Sequence, residues 1–79
     1  MNKERRIRLQ SVLKQLEIAK DILEEILNEE QEYYDNMPES IQSSQKGEDV
    51  DIVIENLTGA FDSLEEAIDS IIECEEGML

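Results

Sequence analysis

Hydrophobic residues in the second half of the chain recur with the period of an amphipathic helix. The series spaced by seven consists of Val50, Leu57, Leu64, Ile71 and Met78. Residues three positions further on are Val53, Ala60, Ala67 and Cys74, and the stripe is widened by Ile54, Phe61 and Ile68. This pattern predicts a long helix over about 48–76 and excludes a strand. We expect the small residues of the stripe, and Gly59 within it, to mark close packing against another helix.

The first half of the chain repeats the same period. Its series are Leu9, Leu16 and Leu23, then Val12, Ala19 and Ile26, with Leu13 and Leu27 beside them. The pattern predicts a first helix over about 2–35. Pro38 disfavours helical geometry at the residue before it, so we expect a hinge with a short helical turn over about 36–47. Gly47 is predicted to release the chain into the second helix.

The two stripes match if the chain folds back near Gln42. Residues whose numbers sum to about 84 then lie at the same height, so that Leu23 faces Phe61 and Leu27 faces Leu57. The fold also brings the basic start of the first helix beside the acidic end of the second. The sequence therefore predicts an all-α protein, a single domain over 1–79 that forms an antiparallel helical hairpin.

The hydrophobic stripes are wider than a two-helix contact can cover. Two helices present only a narrow seam to one another, which leaves further large side chains partly exposed to water. The candidates for this second contact are Ile18, Ile22, Ile52 and Ile72. We expect a homodimer in which two hairpins form a four-helix bundle, although a different protein would dock on the same surface.

Charge is distributed unevenly along the chain. The formal net charge is −14, yet residues 1–20 carry six basic and two acidic side chains, and residues 47–79 carry eleven acidic and no basic ones. Such a surface repels phosphates of nucleic acids and anionic lipids, so a basic protein partner fits better than direct binding to nucleic acid or membrane. With no apolar run suited to a signal peptide or a membrane span, we expect a cytoplasmic location.

Composition argues against an enzyme. The chain has no His, a single Cys and three scattered glycines, so it has no catalytic triad, no zinc set and no phosphate-binding loop. The paired glutamates lack the histidines of a di-iron bundle, and no calcium-loop pattern follows Asp49, so we expect no cofactor or metal. Cys74 is expected to be a small buried hydrophobe, with an interchain disulfide or a reactive thiol as the alternatives.

The acidic array of the second helix admits two interpretations. In one, it is a solvated surface that serves solubility alone. In the other, carboxylates repeating with each turn of about 5.4 Å imitate the phosphates of a nucleic-acid strand and occupy a basic groove of another protein. The candidate partner-binding residues are Glu55, Asp62, Glu65, Glu66, Asp69 and Glu73, together with Tyr33 and Tyr34 beside the hinge. The tyrosines are expected to anchor the hinge by packing, or to form a contact site if one of them is exposed.

The segment over residues 29–42, with Ser44 and Gly47 after it, resembles the hinge of an uncharacterised family of small acidic α-helical proteins of bacteria and phages. The motif that carries the resemblance is Tyr34-Asp35-Asn36-Met37-Pro38-Glu39-Ser40. The resemblance extends loosely into the second helix and implies a helical fold and a phage or bacterial-host context, without catalytic residues. It favours an inhibitor or adaptor that binds another protein through its acidic surface. The alternative is a structural or accessory bundle.

Overall fold

The computed structural model describes residues 1–76 of the chain, and these form three helices. The helices are α1 (Lys3–Asp35), α2 (Glu39–Gln42) and α3 (Gln45–Glu76). No strand occurs among the described residues, which confirms the all-α prediction. Met78, the last residue of the predicted heptad series, lies outside the described residues.

The start and end of α1 follow from local hydrogen bonding. The Asn2 side chain accepts a hydrogen bond from the backbone N–H of Arg5 at 2.8 Å, which satisfies one of the donors left open at the first turn of a helix. At the other end, the N–H of Asn36 donates to the carbonyl of Glu32 at 3.0 Å, and Pro38 follows two residues later. The helix therefore ends where the sequence predicts.

The hinge is a compact turn in which α2 is tied to the end of α1. The Gln42 side-chain amide donates to the backbone carbonyl of Tyr34 at 3.0 Å, and the Ser44 hydroxyl donates to the carbonyl of Ile41. α3 begins at Gln45, earlier than predicted, so Gly47 lies inside its first turn and is buried. A Cβ at Gly47 would overlap the carbonyl oxygens of Ile41 and Gln42, so this glycine permits the close passage of α2 over α3.

α1 and α3 pack side by side along their whole length as an antiparallel hairpin. The molecule measures 58 × 16 × 14 Å, which is the length of one long helix and the cross-section of two. The Lys20 ammonium lies 5.6 Å from the centre of the Phe61 ring across the pair, within about one helical turn of the predicted register.

The contact between α1 and α3 is a seam of residues spaced alternately by three and four. We use the word seam for these half-buried or buried positions: Arg6, Leu9, Leu13, Leu16, Lys20, Leu23, Leu27, Glu30 and Tyr34 on α1, and Gly47, Val50, Ile54, Leu57, Phe61, Leu64, Ile68, Ile71 and Glu75 on α3. This corrects the predicted stripe, because Val53, Ala60 and Cys74 are exposed, whereas Ile54, Phe61 and Ile68 lie in the seam. Residues spaced by seven form a column along the helix. The column with the larger side chains packs in the seam because it buries more apolar area against the partner helix.

The seam leaves the hairpin with very little interior. Ile68 is the one buried hydrophobic residue among those described, at 6% exposure. The accessible surface is 5914 Å², against about 4,900 Å² for a compact 9.1 kDa protein. The radius of gyration is 17.7 Å, against about 12 Å for a compact chain of this length. A single hairpin thus exposes apolar surface that a globular fold of this size would bury.

Candidate interaction surfaces

One flank of each long helix carries no charge over most of its length. Its residues directly precede seam residues, so they lie about 100° around the helix from the seam. We call the following set the uncharged face: Val12, Gln15, Ala19, Ile22 and Ile26 on α1, and Val53, Asn56, Ala60, Ser63, Ala67, Ser70 and Cys74 on α3. Its larger members are substantially exposed, with Ile22 at 52% and Val53 at 43%.

The opposite flank carries most of the carboxylates of α3 outside the seam, and half of those of α1. Its residues directly follow seam residues. We call the exposed carboxylates in the middle of this flank, from Glu17 to Glu24 on α1 and from Asp51 to Asp69 on α3, the acidic face: Glu17, Asp21 and Glu24, and Asp51, Glu55, Asp62, Glu65 and Asp69. Lys14 is the basic residue that adjoins this set on α1. The acidic face therefore presents a nearly pure negative surface along the middle of the rod.

The uncharged flanks of the two helices lie on the same side of the hairpin. Two antiparallel helices are related by a local two-fold axis perpendicular to the plane that contains both helices. Rotation about this axis exchanges the two helices but keeps each residue on the same side of that plane. Equivalent flanks therefore coincide. The structure shows this directly, because the Lys46 ammonium lies 5.7 Å from the centre of the Tyr33 ring, and both residues directly precede seam residues. The hairpin thus has one uncharged side and one acidic side.

Each end of the uncharged face continues into an open hollow. At the terminal end a hollow of about 560 Å³ is lined by residues that include Met1, Arg5, Arg8 and Val12. At the hinge end a hollow of about 350 Å³ is lined by residues that include Tyr33, Met37, Ile41 and Lys46. Both hollows are shallow and open to solvent, so they extend the surface rather than form an enclosed ligand site.

The predicted carboxylates of α3 are all exposed but do not share one surface. Glu55, Asp62, Glu65 and Asp69 belong to the acidic face. Glu66 and Glu73 lie on the back of α3, the side directly opposite the seam. The structure therefore groups four of the six predicted carboxylates on one side, together with three carboxylates of α1 that the prediction did not include.

Tyr33 and Tyr34 lie on different sides of α1. Tyr34 is half-buried at the hinge end of the seam, where its carbonyl oxygen accepts the hydrogen bond from Gln42. Tyr33 is 47% exposed and stacks under Lys46 at the end of the uncharged face. Tyr34 is therefore placed to anchor the hinge by packing, whereas Tyr33 is exposed.

The four isoleucines predicted for the dimer contact are also distributed over several sides. Ile22 lies on the uncharged face. Ile18 and Ile52 lie on the backs of their helices and are 52% and 53% exposed. Ile72 is half-buried on the flank that carries the acidic face. Only Ile22 therefore lies where a second hairpin would pack against both helices at once.

Three features bear on chemical activity. Cys74 is exposed on the uncharged face, so the expectation of a buried thiol is wrong, because its column flanks the seam. Within the described residues no group of three or more His, Cys, Asp or Glu side chains is placed to hold a metal ion. Over the same residues, none of the helices combines the length and the apolarity needed to cross a membrane.

Comparison of the chain with protein-family models, with curated proteins and with solved structures found no match. The resemblance of the hinge to that of small acidic phage proteins therefore stays a prediction.

The sequence contained a signal for the uncharged face that periodicity alone does not reveal. Charged residues make up 35% of the chain, yet none occurs at the positions directly before seam residues from Val12 to Ile26 or from Val53 to Cys74. Counting charges column by column separates this face from the opposite flank and from the backs of the helices, which carry the charged residues.

Proposed function

We propose that this protein is a non-enzymatic protein–protein interaction module that associates as a homodimer and presents its acidic face to a basic protein partner. The observation that carries the proposal is the separation of the two sides of the hairpin. One side offers apolar and small residues for association, and the other offers carboxylates with almost no compensating positive charge. An inhibitor or adaptor of phage origin, as the hinge resemblance implies, would use the second side to occupy a basic groove.

The linear charge density of the acidic face supports nucleic-acid mimicry. From Asp51 to Asp69 the helix rises about 27 Å, and the acidic face has eight carboxylates over that length. This is about one charge per 3.4 Å, which is the axial spacing of phosphates along one DNA strand. A groove that evolved to bind a nucleic-acid strand would therefore meet a similar potential here.

The proposal is tested by capturing proteins from a bacterial host lysate with three versions of the protein. The first is the wild type. The second neutralises the acidic face through Glu55→Gln, Asp62→Asn, Glu65→Gln and Asp69→Asn. The third is a matched control that neutralises four carboxylates on the backs of the helices, through Glu25→Gln, Glu32→Gln, Glu66→Gln and Glu73→Gln. We expect a basic protein that the wild type and the control retain, that duplex DNA displaces, and that the acidic-face variant loses.

Two results would contradict this proposal. If the three versions captured the same proteins with the same salt dependence, the acidic face would not be the contact. If none captured a protein that DNA displaces, the acidity would serve solubility, and the chain would be a structural or accessory bundle.

A further inference from the structure

The side of the hairpin that carries the uncharged face has the dimensions of a protein interface. The outline of the rod on that side, 58 Å by 16 Å, corresponds to about 900 Å², and a standard interface buries about 800 Å² per partner. In a four-helix bundle each helix contacts two neighbours roughly 90° apart around its axis. The uncharged flank lies about 100° from the seam, which is where the second neighbour belongs.

The α1 part of this side is complementary to itself when reversed. Val12 and Ile26 lie seven residues on either side of Ala19, and Arg5 and Tyr33 lie fourteen residues on either side. Arg8 and Glu29 lie eleven and ten residues from Ala19. A second α1 packed antiparallel about Ala19 would therefore bring Arg8 to Glu29, Arg5 to the Tyr33 ring, and apolar residues to apolar residues.

The α3 part of the same side has the same symmetry. Asn56 and Ser70 lie seven residues on either side of Ser63, and Ala60 and Ala67 lie three and four residues from it. Near the axis a reversed second α3 would meet the small side chains of Ala60, Ser63 and Ala67, which allows close approach of the two backbones. Because Lys20 lies over the Phe61 ring, Ala19 and Ser63 lie within about one helical turn of the same height along the rod. One two-fold axis can therefore serve both helices.

The distribution of charge along the rod selects the direction of the second copy. Residues 21–60, the hinge half, carry twelve acidic and one basic side chain, a net charge of −11. Residues 1–20 and 61–79, the terminal half, carry nine acidic and six basic side chains, a net charge of −3. If the two hinges lay at the same end, the hinge half of one copy, with a charge of −11, would lie beside the hinge half of the other. If they lay at opposite ends, each hinge half would lie beside a terminal half with a charge of −3. Like-charge repulsion therefore disfavours the first arrangement.

We infer that the uncharged face binds a second copy of this chain, with the two hinges at opposite ends and a two-fold axis across the rod at Ala19 and Ser63. In this dimer α1 packs on α1 and α3 packs on α3, and both acidic faces remain on the outside. The inference deepens the proposed function and rests on its homodimer, but it is independent of any basic partner.

The arrangement is tested with single cysteines in a Cys74→Ser background and a short bismaleimide cross-linker. Purified full-length chains carrying Ala19→Cys or Ser63→Cys should each cross-link to a covalent dimer, because each residue meets its own copy at the axis. Asp21→Cys is the matched control, since it lies two residues from Ala19 but on the opposite flank, and it should stay monomeric on a denaturing gel. Sedimentation equilibrium of the uncross-linked proteins should show a dimer, and circular dichroism verifies that each variant is helical.

Three results would overturn the inference. If sedimentation equilibrium showed a monomer, the chain would not bind a second copy. Cross-linking only in a mixture of the Ala19→Cys and Ser63→Cys chains would place the hinges at the same end, because α1 would then pack on α3. Equal cross-linking of Asp21→Cys would place the contact elsewhere. Since no partner protein is present, failure here leaves the acidic-face contact testable, and failure of the lysate experiment leaves the dimer standing.

Discussion

The uncharged face and the acidic face are flanks of the same two helices, yet they differ in almost every property. On α3 the residue before each seam residue is uncharged from Val53 to Cys74, while the residue after it is a carboxylate at five of the six positions from Asp51 to Asp69. The two flanks are only two residues apart in sequence. Because a residue turns the helix by about 100°, that difference places them on opposite sides. A charged protein can in this way keep the middle of one side free of charge.

This separation resolves a conflict that a strongly acidic small protein faces. A net charge of −14 on 79 residues opposes association of like copies. A hairpin with so little interior nevertheless needs more apolar burial than two helices provide. Placing most carboxylates on the far flank and the backs of the helices would let the near flanks of two copies approach with the least repulsion.

The largest effect is expected from a charge placed in the middle of the uncharged face. Ile22→Asp removes the burial of one isoleucine in each copy, about 2 kcal/mol per copy, and desolvates a carboxylate. The dissociation constant of the dimer should rise about 1,000-fold, as measured by sedimentation over a range of concentrations. Ile7→Asp is the control, because Ile7 is exposed to a similar extent but lies on the opposite flank. If both variants weakened the dimer equally, the two sides would not differ in association.

The second-largest effect is expected at the hinge, which brings equivalent flanks of α1 and α3 to the same side. Gly47→Ala inserts a methyl group into the carbonyls of α2 and should lower the free energy of unfolding by about 2 kcal/mol or more. Gly59→Ala is the control, since nothing lies within 4 Å of its added Cβ, and it should raise that free energy by up to about 1 kcal/mol. Urea unfolding followed by circular dichroism measures both. Equal stability of the two variants would show that the turn tolerates a side chain at residue 47.

A smaller effect is expected from the ends of the uncharged face. Arg8→Glu and Glu29→Arg should each weaken the dimer about fivefold, because each creates like-charge neighbours in both halves of the interface. The double variant should recover the wild-type dissociation constant, since the pair is restored with its charges exchanged. Weakening that simply adds in the double variant would mean that these residues do not meet across the interface.

The smallest effect is expected on the acidic face itself. Glu65→Gln should stabilise the protein by a few tenths of a kcal/mol at low salt, because it relieves repulsion among exposed carboxylates. The gain should vanish in about 1 M salt, where charges are screened within about 3 Å. Glu73→Gln, near the basic start of α1, should bring no gain at low salt. A gain from Glu65→Gln that survives high salt would point to helix propensity or packing as its cause.

Much of the fold could be predicted because its signals are local or strictly periodic. Two long amphipathic helices, their antiparallel pairing and the position of the hinge around Pro38 follow from heptad spacing, turn residues and the charge asymmetry of the chain. The predicted facing pairs, such as Leu23 with Phe61, lie in the seam. The edge of the stripe was wrong, because three adjacent columns are hydrophobic on α3 and the one with Val53, Ala60 and Cys74 is exposed. Periodicity ranks the columns by regularity, whereas packing ranks them by the area that each buries against the partner.

The inability of periodicity to measure buried area also explains the individual predictions that were wrong. Cys74 and Ala60 belong to a regular heptad column and were expected to be buried, but that column flanks the seam and is exposed. Gly59 was expected to mark close packing, yet the space around it is open. Gly47, by contrast, is the glycine that another element passes closely, because α3 begins before it rather than after it. A glycine in sequence indicates that a side chain is absent and does not reveal which backbone occupies the space.

The sequence by itself determined the helices, the hinge and the total charge, since propensity, period and residue counts are properties of the chain alone. Only the tertiary structure decided which of the two neighbouring hydrophobic columns joins Val50, Leu57 and Leu64 in the seam, and therefore which residues form the flanks. That choice depends on the apolar area that each column buries against the other helix, which is about 40 residues away in the chain. This area is a property of the helix pair and not of either helix alone. Once the seam is known, the residues before it form an uncharged face and the residues after it form an acidic face.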